Sequence, residues 1–362
     1  MKPQFSKKPT EEKFWKDLSV KATSYFEANG NVRHGKSAIL WKGIVFFVAM
    51  VSFYLLLLNA CGSLPWALFF YFAFGLSTAL AAFNFAHDAC HQSLTPNKKL
   101  NDFLFYFLFN LQGASAFLWK KRHLESHHVY ANVKGADADL EDTNLIRLHP
   151  ASEYKWWHRF QSFYAPLLYL CYTLNWIFYK DFRLLFKKSH ASLKMKNSMQ
   201  DKLRFFGFKI SYLLVFLFTP WYATGISFLQ ILVCFLLMHG FVSLFVSFTF
   251  LISHYCMEVQ MPVFDENKKI DNSWMQHQVE VSVDFHAESK WAIHIFGGFN
   301  THVAHHLFPS VCHEHYPALT IIIKSTLAEY EIPYHQFTFF KGVISHFKLL
   351  KKLGKRDLIE HG

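Results

Sequence analysis

Four long apolar runs set the first limit on how this chain folds. Residues 43–60 and 66–86 are split by a short break at 61–65, and a second pair covers about 207–222 and 226–253, with Pro220 near its turn. A helix needs roughly 17 to 25 largely apolar residues to cross a bilayer, so the runs predict two transmembrane hairpins, four spans in all. Composition agrees: 52% of the residues are hydrophobic and 42 are Phe, above the roughly 45 to 50% apolar content of soluble domains. Polar, His-rich stretches interrupt the runs, so the membrane anchor carries a substantial aqueous portion.

The short loops expected at the outer ends of the hairpins contain no Lys or Arg, whereas the N-terminal arm, the central segment and the C-terminal portion are rich in both. The positive-inside rule then places both termini and every charged segment in the cytoplasm. The first residues lack the apolar core and small-residue cleavage site of a signal peptide. The chain divides into a polar arm at 1–37, a membrane domain at 38–350 and a basic tail at 351–362; Lys348, Lys351, Lys352, Lys355 and Arg356 mark a basic helix near its end. A net charge of +11 beside membrane spans points to anionic lipid or phosphate-bearing substrates rather than nucleic acid. Six cysteines without a CxxC pair suggest neither a zinc ribbon nor a disulfide framework.

Two further apolar stretches, 103–119 and 163–179, are long enough to be confused with spans. A single crossing by either would put the His clusters on opposite sides of the membrane. They are therefore assigned to re-entrant or interfacial helices.

Eight of the 22 His fall into three tight clusters: His87 and His91 in HDACH; His123, His127 and His128 in HLESHH; His302, His305 and His306 in HVAHH. Residues four apart share a helix face, so His87 with His91, and His302 with His306, each approach one centre. Adjacent members point about 100 degrees apart, so His127/His128 and His305/His306 are suited to address two metals. His254, at the inner end of the fourth span, offers a ninth ligand. Converging neutral imidazoles suit iron, zinc, copper or nickel, so spacing specifies a metal more firmly than it specifies which. An isolated His is usually an ordinary hydrogen-bonding group, and His149, His158, His190, His277, His286, His294, His313 and His315 are left as surface or supporting residues. His239 lies inside the fourth span, where an ionisable side chain is a functional candidate and a packed neutral His is equally plausible.

HDACH, HLESHH followed by VYAN, and GGFNTHVAHHLFP together resemble the three histidine boxes of the membrane fatty acid desaturase family. The likeness spans roughly 39–350, and the first and third boxes look closest to acyl-lipid and front-end members. His302 stands where front-end members usually have Gln, and the His-Pro-Gly-Gly motif of a fused cytochrome b5 domain is missing. The resemblance implies an all-α integral membrane fold with a cytosolic His-rich helical cap holding a di-metal site. It implies two irons on His87, His91, His123, His127, His128, His254, His302, His305 and His306, with O2 as co-substrate. Electrons would come from a separate ferredoxin or cytochrome b5 type donor with its reductase, and the substrate would be a fatty acyl lipid, acyl-CoA or acyl-carrier protein. Phe250 occupies the position of a water-bridging Asn found in some members; Asn300 offers a polar contact instead, or a helix cap. Asp88 and Asp139 are expected to orient ligand imidazoles, Asp137 lies nearby, and Glu125 is read as surface charge. Phe83, Phe85 and Trp119 are candidate walls of an acyl tunnel. The expected reaction is insertion of a double bond. The nearest alternative is a lipid hydroxylase, and one of another class is a membrane metal transporter or sensor.

Overall fold

The computed structural model describes residues 2–140 and 144–356; part of the expected tail, 357–362, lies outside the described residues. Among the described residues, four helices are long and apolar enough to cross a membrane: Ser37–Leu58, Leu64–Cys90, Met199–Thr224 and Phe228–His254. In the first of these only 11% of the apolar window is buried, and Trp41, Val45 and Val48 point outward. So much exposed apolar surface suits lipid, not water. The protein is an integral membrane protein.

The third span differs most from its expected bounds of 207–222. It starts earlier because Ser198 and Asp201 form a capping box, satisfying the free amides of a helix start. Its far end runs through Pro220 to Thr224, where Gly225 adopts φ +71°. Pro220 offers no N–H to the carbonyl of Phe216 four residues earlier. Tyr71 of the second span repairs this, donating its hydroxyl to Phe216 O at 2.9 Å. The second span packs against both the first and the fourth, around a core that includes Leu57, Tyr71, Phe74, Phe235 and Met238.

The stretch 103–119 does not form one helix. It divides into Lys98–Asn110 and Ala116–Arg122, with a break that includes Gly113 at φ +78°, where an added Cβ would lie 2.8 Å from the Tyr212 ring. The stretch 163–179 falls on Gln161–Leu170, with Pro166 inside, and the short turns after it. Neither is among the four span-length helices.

The remaining helices roof one end of the spans. Residues 1–37, expected as a polar arm, contain a helix, Pro9–Ala28, whose Phe14, Leu18, Ala22 and Phe26 are buried in a cluster with Leu319, Ile323 and Leu327 of helix Tyr316–Glu329. The C-terminal helix Phe339–Leu353 buries Leu349, Leu350 and Leu353 against Ala165, Tyr169 and Leu251. Two short parallel ladders stitch distant segments together, Gln4–Phe5 with Lys269–Ile270 and Asp284–Phe285 with Gln336–Phe337.

Candidate metal centre

Each histidine cluster sits on a helix, and local irregularity decides where its rings point. The second span passes through a π-helical turn at Ala82–Ala86 before presenting His87 and His91. Helix Ala116–Arg122 enters a second π-turn, His123–His127. A π-turn carries an extra residue per turn, so His123 comes to share a face with His128 five residues on, and their Nε2 atoms lie 3.1 Å apart. His127, by contrast, turns toward His254, with ring centroids 4.7 Å apart. His302–Leu307 is an ordinary helical turn that keeps His302 and His306 together, Nε2 to Nε2 3.2 Å.

The nine imidazoles fall into two adjoining groups: His87, His91, His123, His128 and His305 in one, and His127, His254, His302 and His306 in the other, with ligand atoms in each group within 4.8 Å of one another. The neighbours His127/His128 and His305/His306 are each split between groups, as their 100-degree offset anticipates. Stacked His128 and His306, with centroids 4.5 Å apart, join the two halves.

The nitrogen spacing tests whether a metal fits. His123 Nε2 faces the Nε2 atoms of His87, His91 and His128 at 3.2, 3.0 and 3.1 Å, and His254 faces His302 at 2.7 Å. One imidazole nitrogen carries at most one proton, so hydrogen bonding cannot satisfy three such contacts. His305 Nε2 is buried with no hydrogen-bond partner among the described residues. At metal–nitrogen bonds of about 2.1 Å, ligands at right angles lie about 3.0 Å apart and tetrahedral ones about 3.4 Å. The observed spacing suits five- or six-coordinate ions, and five imidazoles in one group exceed the four of a closed structural zinc site.

Protonation states agree. Burial, then repulsion from neighbouring imidazoles, holds His123, His128, His302, His305 and His306 far below the ordinary histidine range, and burial brings His91 down to about 4. These rings are neutral at pH 7, as metal binding requires. His127 differs: burial pulls it down, but the Asp137 carboxylate outweighs that and holds it above its usual value.

The second ring nitrogens show what aims the ligands. His306 Nδ1 meets Gln278 Oε1 at 2.7 Å, His254 Nδ1 meets Val281 O at 2.9 Å, His127 Nδ1 meets Asp137 Oδ2 at 3.3 Å and His305 Nδ1 meets the Tyr316 hydroxyl at 3.3 Å. His123 stacks on Trp119 at 4.2 Å between centroids. Asp137 also accepts the Asn132 amide N–H, and Asn132 Nδ2 donates to His254 O, tying the VYAN segment to the end of the fourth span.

The structure places the expected supporting residues at different distances from the ligands. Asp139 is 3.8 Å from His127 but binds Arg122 Nε at 2.8 Å; Asp137 is the nearer carboxylate because the turn after Asn132 folds it inward. Among the described residues Asp88 makes no hydrogen bond to a ligand imidazole; its Oδ2 accepts from His313 Nδ1 at 2.7 Å and from Cys312 Sγ at 3.0 Å. Asn300 donates to His286 O and caps nothing, since Thr301 holds the cap position of the following helix. Gln278 and Tyr316 carry no spacing signal, and only the fold reveals them. The Gly297–Gly298 pair brings the third box in close: Gly297 has φ +57° and an added Cβ there would lie 2.4 Å from Phe83 O.

An apolar cavity runs among the spans to this centre, with Phe83, His87, Trp119, Phe250 and Phe299 at its walls. Phe85 is not among them; it packs beneath Gly43 and Phe46. His239 lines the cavity, bonded to the Tyr212 hydroxyl at 2.8 Å and Thr173 Oγ1 at 3.0 Å.

The sequence model of the fatty acid desaturase family matches residues 62–338. The chain is 29% identical over 350 residues to an acyl-lipid (8-3)-desaturase of Physcomitrium patens, covering 95% of this chain and 72% of that protein. It is 28% identical over 345 residues to an sn-1 linoleoyl-lipid 6-desaturase of Synechocystis sp., covering 94% and 96%. An acyl-lipid (8-3)-desaturase of Mortierella alpina is 31% identical over 287 residues, 78% of this chain and 64% of that protein.

Proposed function

Because the chain belongs to the fatty acid desaturase family, and is therefore a fatty acyl desaturase, we propose that it works on lipid-linked acyl chains through a pair of irons. The two groups of buried, converging imidazoles carry this reading. His87, His91, His123, His128 and His305 would hold one iron; His127, His254, His302 and His306 would hold the other. Given O2, two electrons and two protons, a di-iron pair supplies the oxidising power to take one hydrogen from each of two neighbouring methylenes, with two waters as by-product.

The protein contributes position. The apolar cavity accepts an acyl chain, and Phe83, Trp119 and Phe299 press it toward the His87 side, a near-attack placement that selects one methylene pair. Gln278, Val281 O, Asp137 and Tyr316 fix the ligand tautomers. Positive-inside topology puts the centre and both termini in the cytoplasm, where a separate ferredoxin or cytochrome b5 type donor reaches it. Residues 38–350 form the working unit, flanked by the 1–37 helix-bearing segment and the 351–362 tail.

Expression in a host without such enzymes, followed by mass spectrometry of extracted lipids, tests the reading. A new double bond, with a loss of two hydrogens, supports it. A gain of one oxygen would replace desaturation with hydroxylation, and metal uptake into vesicles without O2 consumption would indicate a transporter.

A further inference from the structure

A second cavity lies beside the first and plays no part in the chemistry above. Its polar lining comes from Asn110, Ser115, Asp201, Arg204 and Lys209, and Ala114 lines both cavities. It belongs to the same end of the spans as the metal centre, because Met199 starts the third span where His87 and His254 end the second and fourth. Arg204 is about 8 Å into its span at 1.5 Å per residue, the depth at which basic side chains meet lipid headgroups.

Most polar groups around this vestibule are already committed to partners. Lys209 Nζ is committed to Asp181 Oδ2 at 2.7 Å and Gly113 O at 2.6 Å, and Asp181 also holds the Ser115 amide at 2.7 Å. Asp201 is taken by the Ser198 amide and hydroxyl at 2.9 and 2.7 Å. Lys202 lies over the Phe186 ring. Arg204 makes no hydrogen bond or ion pair among the described residues, although Asp201 feels its charge. Tyr106 and Phe208 of its lining are 39% and 53% exposed, and Leu203 next to Arg204 in the chain is 67% exposed, so the mouth opens toward lipid rather than water.

We propose that this vestibule is the headgroup site for the lipid-linked substrate. Arg204 pairs with the phosphate of an anionic glycerophospholipid while the acyl chain passes Ala114 into the cavity beside His87. An Arg guanidinium matches phosphate through paired N–H donors. The proposal rests on the acyl-lipid reading above and adds the chemical class of the carrier.

The test measures binding without turnover. The purified full chain in detergent is titrated with linoleoyl phosphatidylglycerol, with diacylglycerol bearing the same chains, with linoleoyl-CoA and with inorganic phosphate. R204E and R204Q should weaken phosphatidylglycerol binding about tenfold and leave diacylglycerol within about twofold, with R204K intermediate; matched melting curves show that the variants fold. Equal loss on both lipids, or no loss, overturns the headgroup site. Displacement of phosphatidylglycerol by linoleoyl-CoA or inorganic phosphate at equal concentration overturns the lipid as its source. A chain that forms double bonds yet shows no Arg204 dependence sinks this proposal alone. One that binds phosphatidylglycerol through Arg204 but oxidises no chain sinks the enzymatic reading.

Discussion

Replacing Gln278 by Leu separates the two halves of the metal centre. Gln278 and His306 are both buried, and Gln278 Oε1 accepts from His306 Nδ1 at 2.7 Å. With metal bound, His306 must turn a bare Nε2 toward the ion, so its proton stays on Nδ1 and needs that acceptor. Without metal the ring is free to take the other tautomer and share a proton with His302 Nε2, 3.2 Å away. The cost of losing the acceptor therefore falls on the loaded state alone. A buried donor left unpaired costs about 1–3 kcal/mol, which agrees with the 10- to 100-fold loss of metal affinity typical of such supporting residues. Leu keeps the volume, so packing changes little. The assay is metal content per chain during chelator titration. Wild type should lose its metals at comparable chelator concentrations. Q278L should release one metal at about 10- to 100-fold less chelator while the metal held by His87, His91, His123, His128 and His305 stays. Q278E, a stronger acceptor, should raise the chelator needed to remove the metal held by His127, His254, His302 and His306 and leave the other release where it is. Coincident loss of both metals in Q278L, or no shift, would refute the division into two groups or the tautomer argument.

Three further outcomes follow from packing and charge. G297A should lose about 2–5 kcal/mol through its left-handed backbone and its clash with Phe83 O, read as a fall in melting temperature; G30A, at φ +73° with nothing within 4 Å, should lose only the backbone part. K209M leaves Asp181 buried without its cation, costing about 3–5 kcal/mol, and the K209M/D181N double variant should recover most of it in the same melting assay. Asp284, buried where it accepts from Val303 N at 2.9 Å and the Tyr334 hydroxyl at 2.6 Å, is pushed up to about 6 by burial. A carboxyl raised in the folded state contributes most below its unfolded value and loses that contribution as pH rises. The stability of wild type relative to D284N should therefore fall by about 3 kcal/mol between about pH 4 and 6 and stay level above; a gap that widens with rising pH would contradict the assignment.

Hydropathy made the four spans legible because lipid demands a length and a composition that few other structures need. The bounds of the third span were less so: Ser198 and Asp201 start it within a polar stretch, and Tyr71 makes Pro220 tolerable from another helix. Eight of the nine imidazoles stood out by clustering and His254 by its place at the inner end of the fourth span, and the splitting of adjacent pairs followed from helical pitch. What pitch could not give was the pairing of His123 with His128, since a π-turn is a response to packing rather than a residue preference. Supporting residues were hardest. Asp88 lies beside His87 in the chain yet serves His313, whereas Gln278 and Tyr316 reach the site from segments with no motif. Proximity along the chain is a poor guide once the backbone turns each side chain its own way.

The sorting of rings into two groups also sets an order of synthesis. By the time the ribosome has added His128, four of the five imidazoles of one group exist, and only His305 is outstanding. The other group then consists of His127 alone, and waits for His254, His302 and His306. One half of the centre is nearly complete before the second hairpin is made; the other is assembled by the last third of the polypeptide.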